Sequence, residues 1–368
     1  MPQAQNTQLA VFSTGGKREL KRVPIYSPEK GEVLVRNVAV ASNPKDWKYP
    51  VYNLQWAGSE WSAVEGSDVA GYVEEVGEGV TNFKKGDKVA GFTVMIAHSK
   101  YGGYQEYTIV PATTLFPLPP GCTFEEASTY PLAFMTAALG LFQQLKLPTP
   151  LNPVLPEDTF PIIVWGASSS VGAFAVQLAK ASGLQVIGVA GSASDYVREI
   201  GADDVVDYRN KSSSEIVSAL NSALGGKGAT VRAVYDAISE SSSVETIVQF
   251  LSEKKENSKF VTVLRTPVEL PADGHVARLI TYVKAVHHDT PFESFGGVQF
   301  EPGVDFGREW YAWLGREGKN KVKPNRVKVI PGGLEGVDEG LTLLEKGKVS
   351  GEKLVYRIAD TKALSQEQ

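Results

Sequence analysis

The amino-acid sequence predicts an α/β chain, with a small antiparallel β-barrel followed by a doubly wound parallel sheet. Three observations predict it. The first third carries near-alternating apolar residues between Gly- and Asp-bearing turns; the period lengthens near Glu125; and from Pro161 strand and helix patterns alternate.

Glu32–Ala41 (EVLVRNVAVA) places Val33, Val35, Val38 and Val40 close to strand alternation. Shorter strands are expected at 69–76, 88–92 and 104–110, with turns such as Lys85-Gly86-Asp87 between them. The stretch 125–144 is rich in Ala, Leu and Phe and long enough for a helix, with a break at Pro131. Five prolines in the fourteen residues 148–161 read as a surface excursion without chemistry. Pro161–Trp165 is then an apolar strand, and Val171, Phe174, Ala175, Leu178 and Ala179 mark one buried helix face. Strands follow at 184–189, 205–206, 232–238 and 259–264, with helices at 214–224 and 244–251. Beyond Phe300 the pattern predicts a helix at 306–314, a strand at 326–330, a helix at 337–344 and a strand at 354–358. These last elements are expected to return to the first domain.

Composition limits the function classes. At 368 residues, two domains are expected, and 42% hydrophobic with 21% charged residues is ordinary for a globular chain. The net charge of −5, with no basic stripe, argues against nucleic-acid or anionic-membrane partners. The one cysteine, Cys122, excludes an internal disulfide and any multi-cysteine metal site. No apolar run reaches the ~18 residues of a membrane span. The N-terminus lacks the basic and apolar regions of a signal peptide, so a cytoplasmic protein is expected.

The segment Trp165-Gly166-Ala167-Ser168-Ser169-Ser170-Val171-Gly172 lies between a strand and an amphipathic helix. It stands where a dinucleotide-binding turn presents backbone N–H groups and a helix dipole to a pyrophosphate. The glycine fingerprint is reduced to Ala167-x-Ser169-x-x-Gly172, so a plain tight turn is the competing reading. Hydroxyls at Ser168, Ser169 and Ser170 add possible phosphate donors. The next strand ends in Val189-Ala190-Gly191-Ser192, without the carboxylate that binds a ribose 2′-OH in NAD sites. That small tip favours NADP(H), with Tyr208, Arg209 and Arg198 as candidate 2′-phosphate contacts and Asp195 opposing them.

Five segments, in order, resemble the medium-chain dehydrogenase/reductase superfamily. They are Ser42-Asn43-Pro44-Lys45-Asp46-Trp47-Lys48, Gly66-Ser67-Asp68-Val69-Ala70-Gly71-Tyr72-Val73 and Phe83-Lys84-Lys85-Gly86-Asp87-Lys88-Val89, then Gly201-Ala202-Asp203 through Asp207-Tyr208-Arg209, and Gly347-Lys348-Val349-Ser350-Gly351-Glu352-Lys353-Leu354-Val355. The resemblance implies a discontinuous GroES-like catalytic domain (1–133 and 302–368) and a Rossmann domain (134–301). Zinc members place ligands near Asn43, at Ser67–Asp68 and near Leu132, where this chain has none of the usual ligands. It therefore resembles the zinc-independent, quinone-reductase-like branch, with no metal expected. The N-P-K-D-W-K run, the Pro-rich insert, the serine turn and the K-V-S-G-E-K-L-V ending are most similar to fungal stand-alone, lovastatin-type enoyl reductases. That implies NADPH-dependent hydride delivery to the β-carbon of an α,β-unsaturated carbonyl, with a polyketide synthase as partner.

By the same resemblance, Lys45, Asp46 and Trp47 share a loop bordering the nicotinamide ribose, and Thr136 reaches the carboxamide. Val263 and Leu264 end the fifth strand beside the ring, while Val349 and Ser350 close over the cofactor. Lys48 is the catalytic candidate, polarising the acyl carbonyl; contact with the cofactor or substrate and a solvated surface lysine are the alternatives. Tyr52, Trp56, Phe92 and Tyr104, with Tyr49, Trp61 and Tyr101 nearby, read either as an apolar substrate wall or as core packing. His98, His275, His287 and His288 lack supporting ligands at metal spacing and read as packing or solvated side chains. The rivals to an enoyl reductase are a quinone reductase of the same fold and a non-catalytic NADPH-binding partner. The segment 279–286 is a candidate for edge-to-edge pairing, although a monomer is favoured over a homodimer.

Overall fold

The computed structural model describes all residues except 1–5, 53, 55–60, 227–229, 255–256, 295–296 and 366–368. Strands β1 (Thr7–Thr14) and β2 (Lys17–Pro24) form a hairpin across Gly15 and Gly16, whose φ angles of 53° and 84° suit a tight turn. Next come β3 (Glu32–Ala41), α1 (Pro44–Tyr52), β4 (Ser62–Val64), β5 (Asp68–Val76), β6 (Lys88–Phe92), β7 (Tyr107–Pro111) and β8 (Leu115–Pro117). One sheet runs β2-β1-β4; a larger one contains the run β3-β5-β6-β8, antiparallel along this stretch, with β7 also antiparallel on β3. The strand expected from Tyr104 begins only at Tyr107, because Tyr104 and Gln105 turn their polar groups into interior hydrogen bonds.

Helix α2 (Phe124–Ala127) carries a capping box between Thr123 and Glu126. Pro131 does mark the break. It opens α3 (Pro131–Ala138), where its missing N–H leaves no bond unmade, and a π-helical segment continues to Gln144. The alternating unit comprises β9 (Pro161–Trp165), α4 (Ser170–Ala181), β10 (Gln185–Ala190), α5 (Ser194–Glu199), β11 (Asp204–Asp207), α6 (Ser213–Ala223), β12 (Ala233–Asp236), α7 (Ser241–Lys254), β13 (Ser258–Thr262) and β14 (Val276–Ile280). Its sheet has the order β11-β10-β9-β12-β13-β14, with every pair parallel. Both faces are covered: Ile162 and Val164 pack with the α3 and α4 side, Ile163 with α6 and α7.

Two expectations fail here. β13 stops at Thr262, so Val263 and Leu264 lie past it. The edge strand stops at Ile280, and Val283–His287 is a short 3₁₀ turn, because Val283 and Val286 are drawn into the core. The segment 279–286 is thus not one pairing strand.

After the hairpin of β15 (Phe292–Ser294) and β16 (Val298–Phe300) come α8 (Val304–Lys321), β17 (Val327–Val329), α9 (Val337–Glu345) and β18 (Lys353–Arg357). β18 pairs antiparallel with β3, Val355 opposite Ala41, and β17 joins β18 in parallel. Trp310 and Trp313 of α8 stack on Phe142 and Phe134, with centroids 4.6 and 6.1 Å apart. Among the described residues no helix is long and apolar enough to cross a membrane.

Candidate active site

The turn between β9 and α4 opens at the carboxyl edge of the parallel sheet, where such sheets bind ligands. Gly166 takes a φ of 68°, and a Cβ on Gly172 would stand 2.1 Å from the Gly166 carbonyl oxygen. Only glycine fits there. The Ser169 hydroxyl accepts the Gly172 N–H at 3.0 Å and caps α4, so it is partly committed before any phosphate arrives. Ala167 is buried beneath the turn, while Ser168, Ser170 and Val171 remain half-buried around it. The first-turn N–H groups of Ser170 and Val171 have no acceptor within the helix, and the dipole favours an anion at that end. The residues present fit a dinucleotide pyrophosphate.

At the tip of β10, the Ser192 and Ser350 hydroxyls lie 3.2 Å apart, and Gly351 backs onto Ala193. The Tyr208 hydroxyl crosses Gly191, 2.9 Å from where a Cβ would stand. Ser192, Tyr208 and the Val349-Ser350 segment therefore gather at one place. The candidate cations are less free than the sequence suggests. Arg209 is clasped by Asp207 (Nη2 to Oδ2 2.6 Å), and its hydrogen bonds hold that carboxyl down at about 2. Arg198 lies 3.8 Å from Asp195, which offsets the charge that Asp195 would otherwise turn toward a phosphate.

At the other end, Lys45, Asp46, Trp47 and Lys48 lie on helix α1 and not in a loop. Pro44 suits the first helical position, and the Asp46 carboxylate accepts the Asn43 N–H at 2.8 Å, fastening the start. Lys45 faces a narrow pocket lined also by Tyr49, Phe92, Ile96, Tyr282 and His287. Its ammonium stands 4.8 Å from the Phe92 centroid, and the His287 ring lies 5.0 Å from the same ring. Burial pushes the Lys45 amine down to about 8, against the pull of Asp46 and Asp68. Burial also draws His287 down to about 3, so the imidazole is neutral, and raises Asp46 to about 6. Lys48 does not line this pocket; its ammonium lies 5.6 Å from the Trp47 indole.

The remaining candidates divide. Thr136 is buried, its hydroxyl donating to the Leu132 carbonyl at 2.7 Å. The Val263 N–H donates to the Ser239 hydroxyl at 2.8 Å, and Leu264 is partly exposed. Phe92 forms pocket wall. Tyr104 does not: it is fully buried, its hydroxyl donating to Asp46 at 2.8 Å and lying 2.8 Å from Ser42, so it packs the core. Tyr52 is exposed beside Trp47 and outside the pocket, Trp61 is fully buried, and Trp56 lies outside the described residues. The pocket also gains members that the sequence reading set aside or never weighed: His287, Tyr282 and Lys284. Only the His-His pair was visible beforehand, and it points to no particular partner.

The positions where zinc members carry ligands hold a different arrangement. The Asp68 carboxylate accepts the Leu132 N–H at 2.8 Å, the Asn43 amide at 2.9 Å and the Lys353 ammonium at 3.0 Å. Among the described residues no three His, Cys, Asp or Glu side chains gather as a metal site.

Comparison with known proteins agrees with the fold. The family model described as alcohol dehydrogenase GroES-like domain matches residues 29–120, and the one described as zinc-binding dehydrogenase matches 170–281. A trans-enoyl reductase of Gibberella fujikuroi is 33% identical, over 91% of this chain and 96% of its own. A zinc-type alcohol dehydrogenase-like protein of Schizosaccharomyces pombe is 32% identical, over 95% and 99%. Among solved structures, a mycobacterial protein complexed with NADPH shares the fold with a TM-score of 0.71 at 22% identity, covering 95% of this chain and 99% of its own.

Proposed function

Because the chain belongs to the medium-chain dehydrogenase/reductase superfamily of NAD(P)H-linked oxidoreductases, we propose that it reduces the carbon–carbon double bond of an α,β-unsaturated thioester with NADPH. The substrate on this reading is an enoyl chain, in keeping with the trans-enoyl reductase of Gibberella fujikuroi, and its carrier is a polyketide synthase, as the family resemblance implies. The observation that carries the proposal is the Lys45 ammonium held over Phe92 in a pocket with a neutral histidine.

Reduced nicotinamide, when bound, supplies the hydride for the β-carbon. The chain's own residues must then stabilise charge on the carbonyl oxygen and deliver a proton to the α-carbon. Lys45 can do both, as a cation in a partly desolvated wall and as an acid poised near neutral pH. Asp46, one residue on, holds the ammonium form by its charge. Ser168, Ser170, Val171 and Gly172 would hold the pyrophosphate, with Ser192, Tyr208 and Ser350 around the 2′-phosphate.

The deciding experiment follows NADPH oxidation over enones, quinones and enoyl thioesters, with the product identified. Oxidation by quinones alone would replace the reading with a quinone reductase; tight NADPH binding without turnover would make the chain a non-catalytic partner. Two variants test the assignment of ends. Ser192→Asp puts a carboxylate beside the 2′-phosphate and is expected to raise KM for NADPH about tenfold relative to NADH; an unchanged ratio removes Ser192 from the specificity argument. Lys48→Ala is expected to keep kcat within about threefold, as for a side chain outside special contacts. A larger loss in kcat or in NADPH affinity would return Lys48 to the machinery.

A further inference from the structure

The chain's last strand reaches the site through one buried cation. The Lys353 ammonium donates to Asn43 Oδ1 at 2.6 Å and to Asp68 Oδ2 at 3.0 Å. Both charged side chains are essentially out of solvent, at 2% and 0% exposure. The Asn43 amide donates to the same Asp68 oxygen at 2.9 Å, and the other Asp68 oxygen accepts the Leu132 N–H at 2.8 Å. Asn43 immediately precedes α1, which carries Lys45; Leu132 belongs to the first turn of α3, and its carbonyl holds the Thr136 hydroxyl. Three residues before Lys353, Ser350 touches the β10 tip through Ser192. Tyr356 adds a second tie from the same strand, its hydroxyl 2.8 Å from Ser42.

We propose that Lys353 is a positioning residue for the reduction, clamping the start of α1 and the start of α3 to β18 so that Lys45 and Thr136 keep one relative placement. The inference rests on the reading of Lys45 as the acid. A buried ion pair is weak evidence for stability alone, since apolar residues of similar volume fill such space about as well. What the pair adds is direction: four hydrogen bonds fix four segments, β5 among them through Asp68, at set angles. A displacement of ~1 Å at a reacting group can cost about 10²-fold in rate.

The test compares Lys353→Met, Lys353→Arg and the double variant Asp68→Asn/Lys353→Met in the full chain. Lys353→Met strands the Asp68 charge and is expected to lower Tm by ~5–10 °C. The double variant removes that charge and should recover most of the Tm, yet keep kcat about tenfold or more below the parent with KM for NADPH within about threefold. Its bound NADPH should also show a changed fluorescence emission, because the nicotinamide seat has lost its fixed neighbours. Lys353→Arg, which keeps charge and donors, should recover more kcat than the double variant. A double variant with parental Tm, kcat and NADPH emission would overturn the proposal and leave Lys353 a packing residue. If Lys45→Met keeps full activity while the double variant loses it, the acid assignment fails and the clamp stands.

Discussion

Replacing Lys45 by methionine is expected to lower kcat for enoyl thioester reduction by about 10²–10⁴-fold, the range of general acid catalysis. The Kd for NADPH should stay within about threefold, since the pyrophosphate turn is untouched. Rapid-mixing measurements of NADPH oxidation, with Kd from fluorescence, check both. The pH profile carries the sign. Burial lowers Lys45 from 10.5 to about 8, so the ammonium is the populated form below that pH and is lost above it. Asp46, raised to about 6 by burial, is charged above that value and so supports the ammonium between about 6 and 8. Asp68 also favours the ammonium; Lys353 opposes it, and Lys284 lines the same pocket. Neutral His287 adds no charge near pH 7. The expected kcat/KM curve is level through the neutral range and falls above about 8, and Lys45→Met should lack that alkaline limb. A parental profile in that variant would remove Lys45 from the chemistry.

The other large effect concerns Gly172→Ala. The new methyl would sit 2.1 Å from the Gly166 carbonyl oxygen, a backbone atom that cannot swing aside as a flexible side chain could. Gly166 has little freedom to yield. It stands at φ 68°, its carbonyl accepts the Ser169 N–H at 2.8 Å, and Ile238 lies against the position where its own Cβ would be. The start of α4 must therefore move away from the turn, carrying the Ser170 and Val171 N–H groups with it. NADPH affinity is expected to fall by about 100-fold, equivalent to ~2.7 kcal/mol, with a lower Tm; titration calorimetry and thermal melts measure these. Unchanged affinity would mean that the pyrophosphate lies elsewhere.

What the sequence revealed depended on how local each cause was. Lys88–Phe92 and Pro161–Trp165 have the bounds expected because a short apolar run between turn residues is a local cause. Pro131 was legible for the same reason, since its ring acts on its own turn. Helix α1 was missed because Pro44 and Pro50 suggest a loop, yet one starts the helix and the other sits near its end. The β1–β2 hairpin was missed because Lys17–Pro24 is charged and mostly exposed, leaving Gly15-Gly16 as its only clear mark. The phosphate turn was readable as a contiguous segment. The Lys45 pocket was not, because Phe92, Tyr282 and His287 come from distant parts of the chain and meet only after folding. Tyr104 shows the same limit from the other side: an aromatic residue near a cleft could equally be wall or core, and only its bonds to Asp46 and Ser42 decide.

The pairing of β18 with β3 also has a consequence for the order of events at the ribosome. Ser42 and Tyr356, bonded across this seam, are 314 positions apart. At about 5–20 residues per second, synthesis leaves β3 without that neighbour for roughly 15–60 s. During that interval β9–β14 can emerge and assemble, whereas Asp68 has no Lys353 to neutralise it and the Ala39–Ala41 end of β3, beyond its pairing with β7, stays open on one edge. The half of the protein that is translated first is therefore completed last.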